Sequence, residues 1–340
     1  MQILRYQKHI IDVLEGRNIY YLMPTNLEQE RRRFFAAREK DKTYSPVFTY
    51  HKILFKQDEI QKQIEQLIRY RGQYEECIQH FGRRAQIFLH LIQHRGKSDF
   101  TKFSKCLYGT PDREVLDYAH QLLESTEDRS HEKKYTAAAI QERFEPLVAR
   151  YGWHIILEPI SSKMKVVPRI QQLVIDPESS FSEKDARRLE YHEIKTHIVR
   201  QAENKKLPPL IQNCFDYIRT EEGLALHMEE IHDCLSSNQA RRYAARVLAV
   251  HHALSEPFSE VFERVCNLGF LPETAFRITA RAKRGLHDTS TRGGFTKDHI
   301  YLTGKLEIEH FLQEGGDIKD LFLGKIGIDD IPYVKKILEG

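Results

Sequence analysis

Two histidines stand five residues apart inside one helical stretch, and that interval constrains the helix around them. The segment reads His192-Glu193-Ile194-Lys195-Thr196-His197. Ser182, with Asp185 three residues on, has the form of a capping box, and Leu189, Ile194 and Ile198 supply apolar positions. Together they predict a helix over residues 183–202. On an ideal α-helix, residues five apart point about 140° away from each other, so the two imidazoles would look to different sides. A π-bulge absorbs one extra residue. A distortion is therefore expected between Glu193 and His197 if both rings serve one centre.

A second acidic motif follows, Thr220-Glu221-Glu222-Gly223-Leu224-Ala225. It can open a helix, with Thr220 as N-cap and two carboxylates near the positive end of the dipole. Two imidazoles, a carboxylate between them and a carboxylate from a later helix form the ligand and base set of a zinc hydrolase. Adjacent helical residues point about 100° apart, so only one of Glu221 and Glu222 should be a ligand. Gly223 would let another backbone come close.

The rest of the chain is compatible with a large globular scaffold. Its 340 residues are 41% hydrophobic and 30% charged, with a net charge of +3. That length suits one large domain or two moderate ones, and the charge is too small to argue for nucleic acid. No apolar run approaches a membrane span, and the N-terminus lacks a signal-peptide core. The five cysteines, Cys77, Cys106, Cys214, Cys234 and Cys266, form no CxxC pair. They read as thiols of a reducing compartment, so a cytoplasmic location is expected.

Apolar spacing predicts helices through residues 58–93, from 111 to about 123, and over 136–151. The polar stretch 125–134 is the expected domain boundary or exposed loop, separating an N-terminal helical region (1–125) from a catalytic domain (126–340). Residues 153–158 and 166–175 are β-branched and short and read as strands, with Pro168 marking an edge or a bulge. The remainder reads as helical. The expected class is α+β, mostly helical, with a small β-sheet. Gly293-Gly294 lacks the spacing of a phosphate-binding loop, and the pairs His251/His252 and His227/His232 read as packed or solvent-facing rather than as ligands.

These motifs, in this order, resemble the microtubule-associated tyrosine carboxypeptidase family and its bacterial relatives, often described by a Gln-Glu-Gly-Leu-Ala motif. Here that motif stands as Glu221-Glu222-Gly223-Leu224-Ala225, with Glu at the first position. Phe34-Phe35-Ala36-Ala37-Arg38-Glu39 and Leu107-Tyr108-Gly109 look like the family's helical N-terminal region. Arg281-Ala282-Lys283-Arg284-Gly285-Leu286 and the run from Gly293-Gly294-Phe295 to Tyr301-Leu302-Thr303-Gly304 extend the likeness to about residue 315. The resemblance implies a zincin-like metallopeptidase core with one zinc ion, held by His192, His197 and Glu222, with Glu193 as the catalytic base. It also implies removal of a C-terminal aromatic residue from a protein or peptide, a tubulin tail being the substrate of the animal members. The sequence departs from the family at Lys195-Thr196, beside the second ligand, and at Glu221, which adds negative charge next to the metal.

In such a reaction zinc would activate a water, Glu193 would move its proton to the leaving amine, and a neighbouring donor would stabilise the oxyanion. Tyr301, Arg281 and Arg284 are candidates for that donor. Recognition of a free α-carboxylate calls for a cationic clamp, and Arg281, Lys283, Arg284, Arg292 and Lys297 are its candidates. The strand at 166–175 could add to a substrate backbone. Two other readings stay open: a zinc endopeptidase or amidase on the same scaffold, and a non-catalytic binding protein that keeps the fold. Retention of Glu193 weighs against the second of these. Neither nucleic acid nor a membrane is expected as a partner.

Overall fold

The computed structural model describes residues 1–15, 18–124, 134–160 and 162–339. The stretch expected to form a boundary therefore lies, except for Lys134, outside the described residues, as does Ser161 of the turn expected after the first strand. The chain is mostly helical with two small sheets, an α+β arrangement. It divides into two compact units, Met1–Ser125 with Arg241–Ile300, and Thr126–Ala240 with Tyr301–Gly340. That partition differs from the one read from sequence, in which residues 241–300 went with the catalytic domain.

In the first unit the predicted helix at 58–93 is two, Gln57–Ile68 and Glu75–Gln93, whose positions Ile60, Ile64, Leu67, Phe88 and Leu89 are buried. The next helices are Phe100–Tyr108 and Arg113–Leu123, the latter opened by Asp112, whose side chain accepts from the Val115 N–H at 2.9 Å. The core gathers Phe34, Phe48, Phe258, Phe262 and Phe276. Several of these rings meet edge-on, with Phe34 and Phe262 centroids 4.8 Å apart, the geometry aromatic quadrupoles favour.

The second unit holds both sheets. β1 (Tyr135–Thr136) pairs antiparallel with β5 (Ser180–Phe181). The other sheet has β2 (His154–Leu157), β3 (Met164–Val167) and β4 (Gln172–Ile175) in the order β2-β4-β3, with β4 parallel to β2 and antiparallel to β3. The run 166–175, expected as one strand, is thus broken. Pro168 opens a short 3-10 turn over Pro168–Ile170, Gln171 takes a left-handed φ of 52°, and the chain folds back as a hairpin. Proline lacks the ladder N–H and fixes φ, so it ends β3 rather than bulging it. Because β4 is central, it has no edge for strand addition; in this sheet, among the described residues, the edges are β2 and β3.

One face of this sheet packs on the helix Ala137–Ala149 and on the histidine-bearing helix. Ile140, Phe144, Val148, Trp153, Ile155, Leu173, Ile175 and Phe181 form a core with Leu189, Ile194 and Ile198. Those last three are the apolar positions read from sequence. Burying them fixes the rotation of the histidine helix and so decides where its other face points.

Candidate metal centre

The histidine helix begins as an α-helix, Glu183–Leu189, runs as a π-helix over Glu190–Ile198, and returns to α over Val199–Asn204. Its start is the capping box expected from sequence: Ser182 Oγ accepts from the Asp185 N–H at 3.0 Å, and the Ser182 N–H reaches the Asp185 carboxylate at 3.4 Å. The π segment is the distortion that the five-residue interval requires. With i to i+5 hydrogen bonding, residues five apart share a face, and the His192 and His197 ring centroids are 5.0 Å apart. Thr196 supports the widened turn, because its Oγ1 donates to the Tyr191 carbonyl at 2.9 Å, five residues back. The unusual Lys195-Thr196 pair is thus compatible with the bulge.

The second motif lies on the helix Ile218–Ile231. This helix starts earlier than expected, so Thr220 is not its N-cap. Thr220 sits inside the helix, and its Oγ1 accepts from the Ile328 N–H at 3.2 Å. Gly223 has the predicted role. A Cβ there would fall 2.1 Å from the carbonyl carbon of Gly304, and a Cβ on Gly304 would fall 2.1 Å from the Arg219 oxygen. The helices Ile218–Ile231 and Ile300–Gln313 therefore cross with their backbones touching, which only paired glycines permit.

These elements bring His192, His197 and Glu222 together, with one potential ligand atom from each lying within 4.8 Å of the others. Glu222 Oε2 is 3.8 Å from Nε2 of both histidines. Ligands at about 2.0–2.1 Å from one tetrahedral zinc stand roughly 3.3 Å apart, so each Glu222–histidine distance need close by only about half an ångström for the pair to share an ion. The outward nitrogens are held in the way metal-ligating histidines usually are. His192 Nδ1 is 2.7 Å from Glu229 Oε1, and His197 Nδ1 is 3.0 Å from Glu221 Oε1. In a neutral imidazole, an Nδ1–H donated to a carboxylate leaves the Nε2 lone pair facing inward. The donor set fits a divalent, zinc-like cation.

Of the adjacent acids, only Glu222 faces both Nε2 atoms, as the 100° step demands. Glu221 turns the other way, to His197, Lys325 and Arg200, with contacts of 3.0, 3.1 and 3.5 Å. Burial alone would raise its pKa, but Lys325, His197 and Arg200 outweigh this and hold it well below the usual carboxylate range. Burial works against a charged His197, yet the Glu221 hydrogen bond and the Glu221, Glu222 and Glu193 charges raise it to about 9 without a metal. Glu193 lies half-buried in the π segment.

Sequence reasoning missed Glu229, Lys325, Arg200 and Arg188, whose Nη1 is 3.1 Å from Glu229. Glu229 had a signal: it follows Glu222 by seven residues, two turns along the same helix face. Lys325 comes from a distant segment with no local pattern.

The five residues expected to bind substrate all belong to the first unit, and Tyr301, expected as an oxyanion donor, belongs to the second. Lys283, in the first, is fully buried, and its ammonium contacts the carbonyls of Ala253 (3.2 Å), Thr291 (2.8 Å) and Glu256. Its three N–H bonds are spent, so it has none to offer a carboxylate. Arg281 is bidentate to Asp298 at 2.5 and 2.8 Å, and Arg284 lies 3.7 Å from the same carboxylate and over the Phe295 ring. Arg292 is exposed and Lys297 half-buried. Tyr301, in the second unit, is in the first turn of the helix that carries Gly304. Another acidic grouping, His227, Glu230 and Glu309, already holds a cation, because Lys305 Nζ is 2.9 Å from Glu230 and 2.6 Å from Glu309. His232 stacks on Tyr191 and His252 pairs with Glu256.

The molecule is a mostly helical α+β protein in which two imidazoles and one carboxylate come together. The family model described as microtubule-associated tyrosine carboxypeptidase matches residues 32–340, and the chain belongs to that family. It is 28% identical over 339 residues to a putative tyrosine carboxypeptidase, MATCAP2, of Mus musculus, covering 96% of this chain and 58% of that protein. It is 24% identical over 322 residues to the microtubule-associated tyrosine carboxypeptidase 1 of Mus musculus, covering 92% and 61%. To the Homo sapiens protein of that name it is 30% identical over 154 residues, covering 42% and 31%. The chain thus spans about three fifths or less of these relatives.

Proposed function

We propose that this protein is a zinc-dependent metallocarboxypeptidase with a zincin-like site, which removes a C-terminal residue, Tyr or Phe, from a protein or peptide. The observation that carries this reading is the meeting of His192, His197 and Glu222 on a π-helical turn, in a chain of a family named for tyrosine carboxypeptidase activity. His192 Nε2, His197 Nε2 and a Glu222 oxygen would hold the ion. When bound, zinc supplies Lewis acidity and lowers the pKa of a water toward about 7.

The remaining chemistry falls to side chains. Glu193 takes a proton from the attacking water and passes it to the leaving amine. Glu229 and Glu221 keep the imidazoles in the ligating tautomer. Tyr301 is the donor we assign to the developing oxyanion. Of the residues expected to clamp the α-carboxylate, Arg281 is committed to Asp298 and Lys283 is buried. The fold suits work in the cytoplasm: none of the five cysteines is in a disulfide, and among the described residues no helix is long and apolar enough to cross a membrane.

Paired peptides that differ only in a free or an amidated C-terminus test the proposal. Cleavage confined to the free acid, and faster for terminal Tyr or Phe, is the expected result. Equal cleavage of both forms would instead indicate an endopeptidase or amidase, and no cleavage of either a binding protein.

A further inference from the structure

Glu221 is buried directly behind a proposed metal ligand, His197. A buried carboxylate needs counter-charges that an amide does not. We infer that Lys325 is that counterpart and is a positioning residue for His197, an inference that rests on the zinc site proposed above.

The geometry is that of a relay. Glu221 Oε1 receives both the His197 Nδ1–H at 3.0 Å and the Lys325 ammonium at 3.1 Å, while Oε2 faces Arg200 Nη1 at 3.5 Å. Arg200 is fully buried and Lys325 is 7% exposed, so neither charge is screened by solvent. The segment that carries Lys325 is clasped to the end of the histidine helix. The Lys325 N–H donates to Asn204 Oδ1 at 3.0 Å, and Arg200 Nη2 donates to the Ile326 carbonyl at 2.7 Å. Gly324 has a φ of 143°, and a Cβ there would meet Leu207 at 2.9 Å and Asn204 Oδ1 at 3.1 Å. The ammonium also lies 4.8 Å from the Tyr217 ring centroid.

Lys325 thus pins the oxygen that orients His197. Without it, that carboxylate can rotate toward Arg200 and release the ring. The converse holds for Glu221: with Gln there, Lys325 and Arg200 become two buried cations facing a neutral amide. Glu221 and Lys325 therefore form a matched pair, each harmful without the other and dispensable together.

Zinc affinity, measured by chelator competition on the purified chain, and the visible spectrum of the cobalt(II) form test this. Loss of an outer partner of a ligating histidine weakens metal binding about 10–100-fold. Lys325→Met and Glu221→Gln should each weaken zinc affinity by about that much and change the cobalt spectrum, and Lys325→Arg should restore most of it. The double variant Glu221→Gln/Lys325→Met, which removes both charges, should return to within a few-fold of wild type. The double variant also covers the case in which Glu221→Gln alone does not fold, because it leaves one buried cation, Arg200, held by the Ile326 carbonyl, in place of two. Wild-type affinity in Lys325→Met, or a double variant as weak as the product of the two losses, would overturn this inference and leave the zinc site standing. A wild-type chain that takes up no zinc would overturn both.

Discussion

Replacing Gly223 by Ala offers a test in which two known effects have opposite signs. In an ordinary helix interior, Gly to Ala is stabilising by about 1 kcal/mol, because alanine loses less backbone entropy on folding. At this position the added Cβ would sit 2.1 Å from the Gly304 carbonyl carbon, 2.5 Å from its oxygen and 2.6 Å from its Cα. Ordinary contact begins at 3.4 Å, so the two helices must part by more than 1 Å, and backbone cannot swing aside as a side chain can. Forcing extra carbon into a packed interior costs about 1–3 kcal/mol, and more when backbone must move. The clash outweighs the gain, and Gly223→Ala should destabilise the metal-free protein by up to about 2 kcal/mol net, read as a lower urea midpoint. Glu222 is the preceding residue, so the same displacement moves a proposed ligand. Misplacement by about 1 Å can reduce catalysis about 100-fold, and zinc retention should fall with it. A variant as stable as wild type and still holding zinc would refute the account of this crossing.

Glu193→Gln should retain zinc and lose about 10²–10⁴-fold in turnover; unchanged peptide cleavage would remove Glu193 from the mechanism. Metal uptake should depend on pH through His197. Its pKa is raised to about 9, so protons compete with zinc up to that pH, and apparent affinity should rise as pH climbs toward 9; a flat titration from pH 6.5 to 9 would contradict this. The His197–Glu221 pair has the opposite effect on the metal-free fold. Its contribution is fully present below the unfolded histidine value of about 6.5 and is lost as pH rises through about 9, so metal-free stability should decline over that interval. In the first unit Asp298, though buried, is held below the usual range by Arg281 and Arg284. Its contribution is present above about pH 3.9 and disappears as pH falls further, so Asp298→Asn should lower stability at pH 7 and flatten the acid limb; an unchanged acid transition would argue against the pair.

The local features of the site could be read from sequence because each is set by residues close in the chain. The five-residue interval between His192 and His197 forces a widened turn if the rings are to meet, and the π segment over Glu190–Ile198 provides it. The capping box at Ser182, the apolar face of Leu189, Ile194 and Ile198, and the choice of one glutamate from an adjacent pair follow from helical geometry. Features set by distant partners could not be read in this way. Thr220 looks like a cap, but the chain near Ile328 binds its hydroxyl and the helix starts earlier. Pro168 could mark an edge or a bulge; it opens the turn that ends the edge strand β3 and leads into β4, a break that was not expected. Nothing near residues 241–300 shows that they pack with the N-terminal helices, and nothing in the segment around Lys325 announces Glu221 as its partner.

The central claim is that two imidazoles and one carboxylate hold a single zinc ion, and stoichiometry measures it most directly. Purified protein dialysed against trace zinc should carry one equivalent per chain by elemental analysis. That equivalent should be lost in His197→Ala and in Glu222→Gln, while Glu309→Gln, at the grouping filled by Lys305, should keep it. No bound zinc in the wild type, or full zinc in the His197 and Glu222 variants, would contradict the account.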